Sequence, residues 1–227
     1  MPVSGPEPHR QPASPADLAD AARAAGVQDA RLLAVMARLP RAEFVPPELD
    51  RRAYLDEPVR ISHDQVTTQP SLVATMVEAL ELAGDEKVLE VGTGYGYQTA
   101  ILANLADEVW SIELWLDMTE AAHRALATQG LGNVHLIVGD GTLGLRDQAP
   151  FDAIIVTAAF PHVPPPLAGQ LARRGRLVQP IGPGGREEVV LFTKDEQRLL
   201  RVRTLVPASF VRLYGEHGYP LERAASA

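Results

Sequence analysis

The chain has 227 residues, 46% of them apolar, and a formal net charge of −8. That is long enough for one well-buried domain with a small appendage, and too acidic overall for a general binder of phosphate backbones. With no cysteine, disulfides, thiolate nucleophiles and zinc–thiolate sites are excluded. No apolar run approaches the roughly 18 residues that cross a bilayer. The proline-rich start, MPVSGPEPHRQPASPADL, lacks the apolar segment of a secretory signal. These features lead us to expect a cytoplasmic protein with no membrane or nucleic-acid partner. Short loops and a mostly polar surface pattern fit a monomer. The short basic clusters at 173–176 and 198–203 read as solvated surface.

Residues 1–16 are expected to form a disordered leader, because so little apolar surface does not offset ordering entropy. Residues 17–227 read as a single domain, with an N-terminal helical part and loop at 17–83, a core at 84–182, and C-terminal strands and tail at 183–227. The stretch 15–39 reads as two helices split at Gly26-Val27, with Asp29 capping the second and Pro40 stopping it. Pro46, Pro47 and Pro58 impose an extended, irregular path over 44–61. Pro70 opens an amphipathic helix in which Leu72, Val73, Met76, Val77 and Leu80 share a face, ended by Gly84.

From there strands and helices alternate. Strands are expected at 87–91, 108–112, 133–138, 151–157 and 176–180, and helices at 98–105, 115–128 and 166–172. Segments 188–193 and 199–205 look like an antiparallel pair turned at Asp195-Glu196, and 210–213 a last strand. The alternation predicts an α/β fold: a doubly wound, Rossmann-like, mostly parallel sheet with an antiparallel C-terminal edge and an N-terminal helical extension.

The core opens on VLEVGTGYGYQTAILANL. A strand running into Gly92-Thr93-Gly94-Tyr95-Gly96 and then a helix lets the backbone approach a ligand where a Cβ would clash. Such a ligand sits outside the carboxyl end of the strand. Glu113, ending the next strand, is placed to accept hydrogen bonds from both hydroxyls of a ribose. A dinucleotide and S-adenosylmethionine both fit this frame. The dinucleotide fingerprint is G-x-G-x-x-G, with a bare helix start for pyrophosphate. Here the spacing is G-x-G-x-G, and Glu90 stands just before the turn, where it would repel a pyrophosphate. A carboxylate there attracts the ammonium and sulfonium of S-adenosylmethionine, by about 1 to 4 kcal/mol at 4 Å. Asp140, in VGDG after the third strand, is placed for the adenine amino group. Three carboxylates after three successive strands favour the methyl donor.

Beyond the glycine loop, VMARLPRAEFVPPELDRRAYLDEPVRI, VGDGTLGL and FDAIIVTAAFPHVPPPLAGQLARRGRLVQPIG follow in order. Together they resemble the protein-L-isoaspartate O-methyltransferase family over nearly everything from Leu18 to Gly215. The family's active-site loop has the form G-Q-T-I-S-x-P. The matching stretch keeps Gln65, Gln69 and Pro70, has Thr68 for serine and Val66 for a polar residue, and puts Asp64 where glycine is usual. The family's substrate-holding strand, F-V-P-L-T-G, is matched by Phe210-Val211-Arg212-Leu213-Tyr214-Gly215, with arginine for proline and tyrosine for threonine.

The resemblance implies that this enzyme repairs isoaspartyl-containing proteins and peptides. The free α-carboxylate of an L-isoaspartyl residue attacks the donor methyl group, and the ester then closes to a succinimide. An acid with a pKa of about 3.5 to 4 is already ionised at neutral pH, so no general base is required. The resemblance also implies Thr68 as the catalytic residue that hydrogen-bonds the acceptor, with Phe210, Val211, Arg212 and Leu213 around the substrate. Gln65, Val66, Thr67, Glu90, Gly92, Thr93, Gly94, Gly96, Tyr97, Glu113, Leu114, Asp140, Gly141 and Thr157 would hold S-adenosylmethionine. Thr68 could instead cap the helix at Pro70. His63 reads as a surface residue, and Trp115 as either an adenine platform or core. The six histidines show no metal-ligand spacing, so no metal is expected. The altered loop and strand leave two alternatives: a carboxyl methyltransferase for a dedicated peptide or small molecule, and a protein that binds the donor without catalysis.

Overall fold

The computed structural model describes residues 13–196 and 198–221, so residues 1–12 of the expected leader lie outside the described residues. Helix α1 (Pro15–Ala24) begins inside that leader. Pro15 at its first position and Ser14 before it supply the usual start chemistry. Gly26, at φ +104°, separates it from α2 (Ala30–Met36). Asp29 caps α2 by accepting from the backbone of Arg31 at 2.8 Å and Leu32 at 3.2 Å.

The proline-rich stretch is more ordered than an extended path. Short 3-10 turns run over Arg41–Phe44 and Pro47–Arg52, since proline preorganises a turn's first residue as readily as an extended chain. Two-residue strands β1 (Val59–Arg60) and β2 (Val66–Thr67) then pair antiparallel around the loop between them. Helix α3 (Pro70–Glu78) buries Val73, Met76 and Val77. Leu80, just beyond it, is buried too, whereas Leu72 is only half covered.

The core follows the expected alternation: β3 (Lys87–Val91), α4 (Tyr97–Ala103), β4 (Glu108–Glu113), α5 (Leu116–Thr128), β5 (Val134–Val138), β6 (Phe151–Val156), α6 (Pro165–Gln170), β7 (Leu171–Ile181), β8 (Glu187–Lys194) and β9 (Leu199–Ala208). The sheet order is β5-β4-β3-β6-β7-β8-β9. Pairing is parallel from β5 through β7 and antiparallel from β7 to β9. The central strands are mostly apolar because helices cover both faces, with Glu90 and Ser111 as buried polar interruptions. Val88, Leu89, Ala153, Ile154, Ile155 and Val156 are buried.

Two strand expectations need correction. β7 starts directly from α6, five residues before 176, with a register irregularity opposite Phe151 and Ala153. Residues 210–213 are not a sheet strand. The edge beside β8 is already taken by β9, so the chain turns back across the sheet's carboxyl ends. Its ladder contact is with Ala159, which donates to the Val211 carbonyl at 2.7 Å and accepts from the Leu213 amide at 2.8 Å. That detour puts residues 209–214 over the strand tips. Among the described residues, no helix is long and apolar enough to cross a membrane.

Candidate active site

The chain leaves β3 toward β4 and β5 on one side, then returns to β6 on the other. A crevice forms outside the carboxyl ends of the strands at such a reversal. There a cleft is lined by Val91, Gly92, Gly94, Glu113, Leu114, Gly141 and Thr157, with Ile61 and Gln65 from the β1–β2 loop and Val66 from β2. The ladder runs past each strand end and fixes these tips. Gly92 N–H donates to Ile112 at 2.9 Å, Gly139 N–H to Glu113 at 2.9 Å, and Thr157 N–H to Val91 at 3.0 Å. Thr157 Oγ1 also reaches the Val91 and Gly92 carbonyls. Gly92 has φ +99°, and a Cβ there would collide with that hydroxyl. Only glycine meets both demands.

Glu113 is the acidic residue in the cleft. It is buried, accepts from the Gly94 amide at 2.9 Å and the Trp115 amide at 3.2 Å, and burial raises its pKa above the ordinary carboxylate range. The other two carboxylates sit elsewhere. Glu90 is entirely buried beneath the cleft, accepting from Gln98 Nε2 at 2.8 Å, Thr99 Oγ1 at 2.5 Å and Ser111 Oγ at 2.6 Å. Burial pushes its carboxyl up to about 7, against the pull of those donors. Its charge reaches the cleft through space, since no atom of it lines the wall. Asp140 turns away as well. Oδ1 accepts from the Thr142 amide at 2.8 Å and hydroxyl at 2.6 Å, and Oδ2 from the Glu216 amide at 2.7 Å. It therefore ties the C-terminal segment to the strand tip, and its neighbour Gly141 meets the cleft.

Four further expected ligand residues do not line the cleft, because each is committed to a contact beside or beneath it. The Thr93 hydroxyl pairs with Ser111 Oγ at 2.6 Å below it. Gly96 lets α4 pack against Ala122 and Leu126 of α5, where a Cβ would be crowded. Tyr97 is buried against Phe44, with ring centroids 5.9 Å apart, and lies under the loop. The Thr67 hydroxyl oxygen accepts from Arg41 Nη2 at 2.8 Å.

A second pocket adjoins the cleft. It is lined by Pro58, Val66, Thr68, Gln69, Leu72, Thr75, Thr157 and the chain from Leu205 to Val211. Val66, Thr157 and Val211 border both spaces and form the boundary between them. Thr68 does not cap α3: that cap position is Gln69, and the Ser71 amide is taken by Asp56 at 2.8 Å. Its hydroxyl makes no hydrogen bond to another described residue, which leaves it for a ligand. Phe210 and Val211 line this second pocket as expected of substrate residues. Arg212 and Leu213 line the first cleft instead, because the chain has by then crossed the β6 tip.

A model of the protein-L-isoaspartate(D-aspartate) O-methyltransferase family matches residues 13–218. The chain belongs to that family. It is 50% identical over 190 residues to the protein-L-isoaspartate O-methyltransferase of Anaeromyxobacter dehalogenans (strain 2CP-C), covering 83% of this chain and 91% of that one. It is 47% identical over 197 residues to the one from Geobacter metallireducens, covering 87% and 91%. A solved protein-L-isoaspartate O-methyltransferase structure, 27% identical, superposes over 90% of this chain and 67% of its own, with a TM-score of 0.78.

In this isoaspartate methyltransferase family member, the loop's odd residue finds its reason in the backbone. Asp64 has φ +56° and His63 φ +57°, a left-handed conformation that glycine adopts without strain. His63 is exposed, but it is not idle. Its ring stacks on Trp115 at 4.0 Å and its Nε2 pairs with Asp117 at 2.8 Å, holding the strained loop to the start of α5. Trp115, weighed as an adenine platform, keeps one face for His63 while lining the cleft. Arg41, Asp56, Ile61 and Met118 were not singled out from sequence. Ile61 and Met118 look like ordinary core in the linear pattern. Arg41 and Asp56 carry no motif beyond the stretch in which they stand.

Proposed function

We propose that the chain transfers the methyl group of S-adenosylmethionine to the free α-carboxylate of L-isoaspartyl residues in damaged proteins. The observation that carries this reading is the shared boundary of two pockets, one bearing Glu113 and the other the uncommitted Thr68 hydroxyl. The donor fits the first pocket. It opens outside the strand tips at the reversal of strand order, and a buried carboxylate stands beside the glycine turn for the ribose hydroxyls. Gly92, Gly94, Leu114 and Gly141 would flank it, with Gln65 and Val66 covering it, and Glu90 would supply attraction from below.

When bound, the donor supplies a methyl group made electrophilic by its sulfonium. The chain's own task is alignment. Thr68 Oγ1 donates to one oxygen of the acceptor carboxylate and leaves the other free to attack. Val66, Thr157 and Val211 close the boundary so that the two groups meet only there. Well-aligned reactants gain several kcal/mol in this way. No group need accept a proton, since the acceptor is ionised at neutral pH.

The single-domain organisation over 17–227, the cytoplasmic setting and the monomeric state remain part of this reading, as does the absence of membrane and nucleic-acid partners. The test is transfer of labelled methyl onto an isoaspartyl peptide and its aspartyl twin. Label on the isoaspartyl form alone is the expected result. Label on both or neither overturns the reading.

A further inference from the structure

Arg41 is fully buried, yet its guanidinium makes no ion pair among the described residues. It donates five hydrogen bonds to neutral oxygens: Nη1 to the carbonyls of Ala53 at 3.0 Å and Leu55 at 3.1 Å, and Nη2 to the Glu57 carbonyl at 3.1 Å, Thr67 Oγ1 at 2.8 Å and the Thr68 carbonyl at 3.3 Å. The cation also lies 5.6 Å from the centroid of the Tyr97 ring. Burying a charge without a counter-ion is costly, and a well-packed apolar residue often serves stability better. The contacts do not knit the core. They converge on two irregular segments, 53–57 and 67–68, and the second borders the acceptor pocket.

Asp56, inside the first of those segments, completes the arrangement from the other side. Its Oδ2 accepts from Gln69 Nε2 at 2.9 Å and its Oδ1 from the Ser71 amide at 2.8 Å. The chain is thus held by Arg41 at the Thr67 hydroxyl and the Thr68 carbonyl, and by Asp56 at the Gln69 side chain and the Ser71 amide, while the Thr68 hydroxyl itself is left free. A β-branched residue has few χ1 choices once its backbone is fixed, so the direction of the Thr68 hydroxyl follows from these two anchors.

We propose that Arg41 and Asp56 are positioning residues for methyl transfer, clamping the chain on both sides of Thr68 so that its hydroxyl aims into the acceptor pocket. The inference rests on the proposed role of Thr68 and adds to it the device that sets its aim. Burial lowers the Arg41 pKa to about 10, with Tyr97, Asp56 and Glu57 opposing the shift, so the clamp stays charged at neutral pH.

The test is a double-mutant cycle. Arg41→Lys and Asp56→Asn are each made alone and on Thr68→Val. Turnover of an isoaspartyl peptide at saturating donor is compared with calorimetric affinity for S-adenosylhomocysteine. Each single variant is expected to lower kcat about tenfold, with product affinity within twofold of the parent. On Thr68→Val, each is expected to cost less than a further twofold. A full tenfold loss on top of Thr68→Val overturns the proposal, as does a parallel loss of product affinity. Should Arg41→Lys fail to fold, Asp56→Asn decides the matter alone, because it leaves the buried cation in place. Failure of the parent enzyme to label the isoaspartyl peptide strikes the functional reading rather than the clamp.

Discussion

The two halves of the site are built by different means. The donor half sits on the ends of parallel strands, where main-chain hydrogen bonds to the neighbouring strand fix Gly92, Glu113, Gly139 and Thr157. The acceptor half sits on the segments 66–69 and 205–211, which combine the two-residue strand β2, the last residues of edge strand β9 and the loops that follow them. Its backbone is held by side chains from distant parts of the sequence: Arg41 and Asp56 on one wall, and on the other buried Glu187, which accepts from the Phe210 amide at 2.8 Å. A strand tip inherits its position from the whole sheet, whereas a loop has to be pinned residue by residue. Binding the donor and aiming the acceptor should therefore be separable by mutation.

The sharpest separation is expected at Glu113. Replacement by alanine removes a charged acceptor for two hydroxyls, each hydrogen bond to such a group being worth about 1.5 to 3 kcal/mol. Donor Kd measured by calorimetry should rise about 100-fold, equivalent to about 2.7 kcal/mol. An unchanged Kd would remove the donor half as drawn. On the other side, Thr68→Val should lower kcat by about tenfold or more while donor Kd stays put. A joint loss of both would show that the halves are not independent.

Glu90 allows a subtler probe, through pH. Its folded pKa, pushed up by burial to about 7 from an ordinary 4.5, means that the folded state holds its proton longer than the unfolded chain does. The resulting stabilisation is fully present below the ordinary value and is lost as pH rises through about 7. A bound cation favours the ionised form. Affinity for S-adenosylmethionine should therefore climb about fivefold between pH 6 and pH 8, with proton release on binding at the lower pH. Glu90→Gln should flatten that dependence, and turnover at saturating donor should change less than affinity. The smallest effect is expected in the loop. Asp64→Gly relieves a left-handed residue and should raise stability by about 1 kcal/mol, read as a rise of a few degrees in Tm. A fall in Tm would mean that the Asp64 side chain contributes more than its backbone costs.

The same contrast explains what could be read from sequence. The strands from β3 to β8, the Asp29 cap and the pairing of β8 with β9 follow from local periodicity and turn chemistry, as does Glu113 at its strand tip. Glu90 and Asp140 have the right spacing, but sequence cannot show which way a carboxylate points once Ser111 or Glu216 competes for it. Residues 210–213 have strand composition, and only the prior claim of β9 on the sheet edge keeps them out. Arg41 is the extreme case. Nothing in its neighbours tells that its partners stand on two later loops, since those contacts exist only after the 3-10 turns have folded around it.

The boundary shared by the two pockets joins Val66, near the start of the chain, to Val211, near its end, across Thr157. Contacts between segments so far apart form late, after the local and sheet contacts that bring them together. The wall between the pockets is therefore closed only when Val211 has docked beside Thr157, and recovery of turnover on refolding is expected to trail recovery of the sheet's far-ultraviolet signal.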